Sequence, residues 1–262
     1  MKYILSIAGS DSSCGAGIQA DLKTFFAHGV YGLNVITSIT AQNTNGVIEV
    51  LDIEPKMIKA QFKALFEDIK IDVIKIGMVS SEETIQEIVK ILEKYPNIPV
   101  VLDTIMVSSS GFELLQKEAR DIFIKKLIPK ATLITPNIPE AIVLSKQNIE
   151  NVEDMKNALI VMYDLLHCKN ILLKGGHLKN DAIDILYDGK KFTMNKKEKI
   201  ISNNTHGTGC TLSSAIASNL AFGDDLEMSI QKAKKYVRKA IKHGFPIGSG
   251  IGQLNHFYKH KG

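Results

Sequence analysis

The chain of 262 residues is 45% hydrophobic and carries 32 basic and 28 acidic side chains, for a formal net charge of +4. This length and composition allow one large buried core, while charged residues interrupt every apolar run before it reaches membrane-spanning length. Only Arg120 and Arg238 are arginines, and the lysines are spaced as on solvated helix faces, so we predict no nucleic-acid and no membrane partner.

The cysteines and the first residues favour a cytoplasmic protein. Cys14, Cys168 and Cys210 lack the paired spacing of a disulfide framework or of a zinc site. The stretch that begins at Met1 lacks the long apolar segment and the cleavage site of a signal peptide. We therefore expect a cytoplasmic location.

Short apolar runs alternate with helical patterns along the chain. The predicted strands are residues 3–8, 33–39, 73–76, 100–102, 133–134 and 171–173, followed by a hairpin over residues 182–194. The predicted helices are residues 16–28, 55–69, 82–94, 117–127, 152–167, 210–221 and 225–243. The strands are continuously apolar, as in strands buried on both faces. We predict one α/β domain over residues 1–262, with a mostly parallel sheet between two helix layers.

Polar and glycine residues follow the successive predicted strands. They are residues 9–11, 42–43, 77–78, 103, 135–137 and 174–176. Ligands bind beyond the carboxyl ends of the strands in such sheets. Loop composition explains any one of these groups, but it does not explain Lys174 directly after an apolar strand. We expect a site at this edge of the sheet.

Residues 203–214 are the most informative segment. Gly207, Thr208 and Gly209 precede a small-residue helix, whose unpaired N–H groups and dipole attract phosphate. Cys210 lies at the helix start, where the same field lowers the pKa of a thiol. We expect a phosphate site beside a reactive cysteine. The spacing alone leaves open an ordinary glycine turn into a helix with a buried cysteine.

A second glycine motif favours a different reaction class. Residues 15–20 fit the G-x-G-x-x-A fingerprint of a dinucleotide fold, which predicts a nicotinamide-dependent oxidoreductase. These glycines lie several residues beyond the first predicted strand, however, and residues 37–46 contain no acidic side chain for the ribose. We therefore regard this as the weaker interpretation.

The motifs together resemble the hydroxymethylpyrimidine/phosphomethylpyrimidine kinases. The resemblance covers nearly the whole chain and rests on residues 8–11, 15–24, 41–44, 75–78, 101–103, 106–107, 135–141, 173–177, 204–211 and 250–257. It implies a ribokinase-like α/β/α sandwich and a homodimer. It also implies an ATP- and Mg²⁺-dependent kinase of thiamine biosynthesis. Its substrates would be 4-amino-5-hydroxymethyl-2-methylpyrimidine and then the monophosphate.

The resemblance implies roles for single residues. The amides of Gly207, Thr208, Gly209 and Cys210 would hold the moving phosphoryl group, with Lys174 as a point charge. The expected residues for ATP and Mg²⁺ are Asp103, Asn137, Glu140, Lys174 and Thr208, with Glu140 holding the metal through water. Those expected for the substrate are Gly9, Ala16, Asp21, Gln42, Met78 and Val107, with Gln42 pairing with the pyrimidine edge and Asp21 contacting either the substrate or the residues that hold it. Packing alone remains the alternative for Met78 and Val107.

Cys210 stands where related sugar kinases carry an aspartate base. We expect its thiolate to take the hydroxymethyl proton in the first step, and a neutral thiol to tolerate the phosphate in the second. The chain departs from the family pattern at Cys14, where glycine is usual, and at residues 104–105. His177 and His206 are expected to be hydrogen-bonding loop residues.

Two further functions remain open. A pyridoxal kinase on the same fold is the nearest alternative, although an amide at Gln42 suits an aminopyrimidine better. A pyrimidine-binding protein without catalytic activity is less compatible with Lys174, Glu140 and Cys210 in one chain.

Overall fold

The computed structural model describes residues 1–108, 111–176 and 181–259. Its strands are β1 Tyr3–Asp11, β2 Tyr31–Asn43, β3 Gly46–Asp52, β4 Val73–Ile76, β5 Val100–Leu102, β6 Leu133–Ile134, β7 Ile171–Gly175, β8 Asp181–Tyr187 and β9 Phe192–Glu198. Its α-helices are α1 Gly17–Ala27, α2 Pro55–Phe66, α3 Glu82–Lys94, α4 Arg120–Ile122, α5 Ile138–Ser145, α6 Val152–Leu166, α7 Thr208–Ala221 and α8 Leu226–Lys242. No helix within these residues is long and apolar enough to cross a membrane.

The strands form one sheet with the order β3-β2-β1-β4-β5-β6-β7-β8-β9. The six inner strands of this order, β2-β1-β4-β5-β6-β7, pair in parallel. Antiparallel strands flank them, with β3 at one edge of the sheet and β8 and β9 at the other. The mostly parallel sheet that we predicted is therefore present. Because the inner strands are parallel, their carboxyl ends lie together along one side of the sheet. The candidate site lies at these strand ends.

Two separate apolar cores lie on the two faces of the sheet. Leu5 and Ile7 of β1 face a core shared with α2, α3 and α6, while Ile4 faces a core shared with α1, α7 and α8. This alternation along one continuously apolar strand confirms that the strand is buried on both faces. The protein is thus a three-layer α/β/α sandwich.

The structure differs from the sequence-based prediction at several places. Strand β1 extends to Asp11 and β7 extends to Gly175, so residues 9–11 and Lys174 lie within strands rather than after them. Strand β2 extends to Asn43, so Gln42 lies within a strand rather than after it. Strand β3 was not predicted, because an exposed edge strand lacks the continuous apolar run of a buried one. The short helix α5 was also missed. The helix predicted from residue 117 begins at Arg120 and continues as a π-helix, Phe123–Leu127, and a 3₁₀ turn, Ile128–Lys130.

Candidate active site

A cavity of about 190 Å³ lies at the carboxyl ends of the inner strands. Twelve of the residues selected from the sequence line it: Gly9, Ala16, Gln42, Met78, Asp103, Val107, Asn137, Glu140, Lys174, Gly207, Gly209 and Cys210. They come from seven separate segments of the chain, which the parallel strand order brings together. Thr208 does not line the cavity, and its hydroxyl donates to the carbonyl of Thr205. The predicted role of Thr208 in ATP binding therefore stays a prediction.

Helix α7 points its amino-terminal end toward the cavity. Its N-cap is Gly207, with a φ of 75°, and no side chain of the described residues caps this helix start. A Cβ atom on Gly207 would lie 1.8 Å from the carbonyl oxygen of Gly15, so only glycine fits in this loop. The glycines therefore allow the loop before α1 to approach the start of α7. The uncapped helix start supplies the positive end of a dipole to the cavity.

A cluster of one lysine and two carboxylates lines one wall of the cavity, beside the start of α7: a Cβ atom on Gly209 would lie 3.3 Å from Asp103 Oδ2 and 3.6 Å from Lys174 Nζ. Lys174 Nζ lies 2.9 Å from Asp103 Oδ1, which also accepts a hydrogen bond of 3.0 Å from the hydroxyl of Thr135. Asp103 Oδ2 is buried and has no hydrogen-bond partner among the described residues. Asp103 thus has one oxygen that is fixed and one that is free to bind a ligand.

Glu140 closes this wall at the start of α5. Its Oε2 accepts hydrogen bonds from the hydroxyl of Thr104, at 3.1 Å, and from the backbone N–H of Asn137, at 2.9 Å. The Asn137 side chain in turn accepts from the Glu140 N–H at 2.8 Å, which completes a capping box. The same two residues therefore cap a helix and line the cavity.

The charges of this cluster depend on one another. Burial raises the pKa of Glu140 to about 7, and the ammonium of Lys174 only partly opposes that rise. Burial would also raise the pKa of Asp103, but Lys174 and Lys75 outweigh it and the pKa of Asp103 is lowered. Asp103 is therefore ionised, whereas Glu140 titrates near neutral pH. An additional cation beside both carboxylates would favour the ionised form of Glu140.

Cys210 lines the cavity and is 7% exposed. Burial raises the pKa of its thiol to about 11, and the nearby ammonium of Lys75 only partly opposes this. The lowered pKa that we predicted from the helix dipole is therefore wrong for this structure, because desolvation of the sulfur outweighs the dipole. The thiol is neutral near pH 7.

The other end of the cavity is narrow and partly apolar. A Cβ atom on Gly9 would lie 2.8 Å from the Ser38 hydroxyl and 3.1 Å from the Met78 sulfur, so glycine is required for this close approach. Met78 is buried, while Val107 is 47% exposed at the cavity rim. Gln42 contributes an amide that contacts Thr40 and His206. This end can hold a flat ring with one polar edge.

Asp21 lies beneath the site and not in it. Its side chain is fully buried, pairs with Lys75 Nζ at 2.8 Å, and accepts hydrogen bonds from Ser6 and Ser214. The direct substrate contact that we expected for Asp21 is therefore wrong. A carboxylate on a predicted helix gives no sign of whether it faces the cavity or the sheet.

Sequence reasoning assigned no role to Asp11 or Lys75. Lys75 lies among the apolar residues of strand β4. A lysine next to an apolar run was also the feature that identified Lys174, so the sequence carried a signal for Lys75. His206, in the loop before α7, is the hydrogen-bonding residue that we predicted, and its partner is Asp11 at the end of β1, at 3.0 Å. His177 lies outside the described residues. Cys14 adopts a φ of 62°, which explains why glycine suits this position.

Comparisons of the sequence with known proteins agree with this geometry. A family model described as phosphomethylpyrimidine kinase matches residues 11–255. A hydroxymethylpyrimidine/phosphomethylpyrimidine kinase of Rhizobium meliloti is 45% identical and aligns over 97% of this chain and 97% of its own length. The thiamine biosynthesis bifunctional protein ThiED of Geobacter sulfurreducens is 46% identical over 97% of this chain, which spans 52% of that longer protein.

Solved structures give the same result. The crystal structure of a phosphomethylpyrimidine kinase from Clostridium difficile matches with a TM-score of 0.82 and 49% identity, covering 92% of this chain and 100% of that one. A Bacillus subtilis pyridoxal kinase, solved as an ADP complex, matches with a TM-score of 0.90 and 36% identity, covering 99% and 98%. The predicted ribokinase-like fold is confirmed, and the chain belongs to the phosphomethylpyrimidine kinase family.

Proposed function

We propose that this chain transfers the γ-phosphoryl group of ATP to 4-amino-5-hydroxymethyl-2-methylpyrimidine and then to the resulting monophosphate, as a step of thiamine biosynthesis. One observation carries the proposal: a single cavity is lined by Gln42, by Lys174 and Asp103, and by the start of α7. Membership of the family, and relatives named as kinases of these two compounds, support it.

Lys174 and the start of α7 would bind the transferred phosphate. Burial alone would lower the pKa of Lys174, but the carboxylates of Asp103 and Glu140 outweigh it and raise the pKa, so the ammonium stays charged. Phosphoryl transfer depends mainly on positioning and on charge stabilisation. A fixed cation beside a helix start supplies both without forming a covalent intermediate.

The carboxylates of the cluster fit a magnesium ion. Asp103 Oδ2 is buried without a hydrogen-bond partner among the described residues, and Glu140 becomes ionised only near neutral pH. A bound cation would stabilise the charged form of both carboxylates. No group of three metal-ligating side chains occurs in residues 1–108, 111–176 and 181–259. This donor set suits Mg²⁺, which keeps several waters and is often held by only one or two carboxylates together with phosphate oxygens. When bound, the ion would neutralise charge on the nucleotide phosphates.

Gln42, Gly9 and Met78 would receive the pyrimidine ring. An amide can bond a ring nitrogen and its neighbouring amine at the same time, which matches an aminopyrimidine. The hydroxymethyl group would then face Cys210. Because its thiol is neutral, Cys210 would act as a small polar neighbour that accommodates both the alcohol and the anionic monophosphate.

We also propose that the enzyme is a cytoplasmic, single-domain homodimer. The antiparallel edge strand β3 supports the dimer, because it exposes Ile48 and Leu51, by 70% and 65%, at the edge of the sheet. An exposed apolar edge strand favours pairing with a further strand, and β3 of a second copy of the chain would supply that strand.

Pyridoxal phosphorylation is the second candidate function. It is favoured by the TM-score of 0.90 with the pyridoxal kinase of Bacillus subtilis. The pyridoxal ring lacks an amine next to its ring nitrogen, so it would use only part of the Gln42 amide. We therefore expect it to be the poorer substrate.

Side-by-side turnover of the two alcohols tests the proposal. ADP release and the phosphorylated products should appear with the pyrimidine alcohol at a kcat/KM at least about tenfold above that for pyridoxal. Lys174→Met should lower kcat by about 10²–10³-fold, whereas Lys63→Met on the exposed face of α2 should not change it. A higher kcat/KM on pyridoxal, or ADP release that does not require the pyrimidine, would refute the assignment.

A further inference from the structure

A buried aspartate and histidine, Asp11 and His206, lie beside Gln42 and line the same cavity. Asp11 Oδ2 accepts hydrogen bonds from the backbone N–H groups of Gly15 and Ala16, at 3.0 and 2.8 Å, and lies 3.0 Å from His206 Nε2. Asp11 and His206 are 3% and 9% exposed. Asp11 thereby joins the loop before α1 to the loop before α7 and leaves the imidazole little freedom to turn.

The charge on Asp11 determines which atom of His206 carries the proton. Burial would raise the pKa of Asp11, but the hydrogen bonds from His206, Ser13 and Ala16 outweigh it and lower the pKa to about 2. An ionised carboxylate only accepts hydrogen bonds. His206 Nε2, at 3.0 Å, must therefore carry a hydrogen and donate it.

This protonation determines the orientation of the Gln42 amide. As placed, the amide nitrogen lies 3.2 Å from His206 Nε2 and the amide oxygen lies 3.3 Å from the hydroxyl of Thr40. Two N–H donors cannot bond each other, and the oxygen and nitrogen of an amide have the same shape. Turning the amide by 180° removes this conflict, because its oxygen then lies beside the Nε2 hydrogen and can share it with Asp11 as a second acceptor. Its NH₂ group then faces Thr40, whose own hydroxyl hydrogen is donated to the carbonyl of Ser10 at 3.0 Å.

We propose that Asp11 and His206 are positioning residues that hold the Gln42 amide with its oxygen toward His206 and its NH₂ toward Thr40. They would thereby fix the order of donor and acceptor that the cavity offers to a ring. This inference rests on the proposed function, since it concerns how the same site selects its substrate.

A fixed amide distinguishes two rings that a rotating amide would accept equally. An aminopyrimidine presents a nitrogen acceptor beside an amine donor, whereas its 4-oxo analogue presents an N–H donor beside a carbonyl acceptor. Only one of these patterns matches a given orientation of Gln42. A site that leaves a buried polar group unpaired rejects the mismatched ring strongly.

His206→Phe tests this role, because the variant keeps an aromatic ring but removes the N–H donor. We expect the wild-type enzyme to prefer the amino over the 4-oxo compound by about 10²-fold or more in kcat/KM, and His206→Phe to reduce that ratio at least about tenfold. The KM for ATP should not change. The matched control is His243→Phe, since His243 is an exposed residue that stacks on Tyr258, and this variant should keep the wild-type ratio.

A double variant shows whether His206 acts through Gln42. Gln42→Leu should abolish the preference for the amino compound. Adding His206→Phe to Gln42→Leu should leave the ratio of the two kcat/KM values where Gln42→Leu alone puts it. Retention of the full ratio in His206→Phe, or independent losses in the double variant, would overturn the proposal. Absence of ADP release with both rings in the wild-type enzyme would instead refute the proposed function.

The imidazole nitrogen spectrum provides a readout that does not depend on activity or on the folding of a variant. In the ¹⁵N-labelled wild-type protein, His206 should show a protonated Nε2 at neutral pH, as the neutral tautomer or as imidazolium. Protonation of Nδ1 alone, with a bare Nε2, would contradict the inferred orientation of Gln42.

Discussion

Two buried lysine–aspartate pairs lie close to Cys210, and they differ in how completely their polar atoms are bonded. Lys75 and Asp21 are fully buried, and the hydroxyl groups of Ser6 and Ser214 donate further hydrogen bonds to the carboxylate of Asp21. Lys174 is 15% exposed at its side chain, and its partner Asp103 keeps one buried oxygen without a partner among the described residues. The first network is closed, and the second is open toward the cavity.

The difference separates a structural ion pair from a functional one. A buried polar group without a partner destabilises a protein unless something binds it. The closed Lys75 pair has no capacity left for a ligand, so its role is to hold β4, α1 and α7 together. The open Lys174 pair keeps that capacity, and we attribute it to the nucleotide and its metal ion.

Removing the lysine from each pair gives the largest expected contrast. Lys75→Met should lower the free energy of unfolding by about 3–5 kcal/mol, because it leaves the Asp21 carboxylate buried without a counter-charge. Lys174→Met should lower it by less than about 3 kcal/mol, because Lys75 and the hydroxyl of Thr135 still stabilise the Asp103 carboxylate. Urea denaturation of both variants, followed by circular dichroism, measures the two values.

Replacing both partners of the closed pair distinguishes charge from packing. Lys75→Met combined with Asp21→Leu should recover part of the lost stability, because no uncompensated charge remains. Equal destabilisation by Lys75→Met and Lys174→Met would show that the open and closed networks do not differ in the way inferred here.

Much of the fold could be predicted from the sequence, because buried parallel strands have a strong signature. The continuous apolar runs of β1, β4, β5 and β7 predicted their positions and their burial on both faces. Strand β3 was not predictable in this way, since an edge strand needs no apolar run. The π-helix Phe123–Leu127 was not predictable either, because over five residues its apolar pattern cannot be distinguished from that of an α-helix.

The candidate site was predictable where a residue breaks a local pattern. Lys174, at the end of an apolar run, and Gly207 and Gly209, at the start of α7, stand out in the sequence, and all three line the cavity. The pKa of Cys210 was not predictable, because the desolvation that raises it depends on side chains from several distant segments. The partnership of Asp11 with His206 joins residues 195 positions apart and likewise requires the fold.

Cys210 lies between the two networks, and its variant tests whether the neutral thiol takes part in proton transfer. Cys210→Ala should lower kcat of the first phosphorylation by no more than about tenfold, because a thiol with a pKa of about 11 is not a ready base. The second step should be affected less, since its nucleophile is already anionic. A thiolate base would instead contribute about 10²–10⁴-fold, so a loss of that size in rapid-quench measurements would restore the base hypothesis.

The smallest expected effect is the pH dependence of stability that the open network creates. The pKa of Glu140 is raised from 4.5 to about 7, so the folded protein binds a proton there that the unfolded chain has lost. The stabilisation from Glu140 is therefore complete below pH 4.5 and is lost as the pH rises toward 7, by on the order of 1–3 kcal/mol. Glu140→Gln keeps the acceptor oxygen of the capping box and should remove this decline from urea denaturation curves. Mg²⁺ with ATP should also reduce it, by favouring the ionised form. A decline of equal size in Glu140→Gln would assign the titration to another group and leave the open network without its cation-dependent carboxylate.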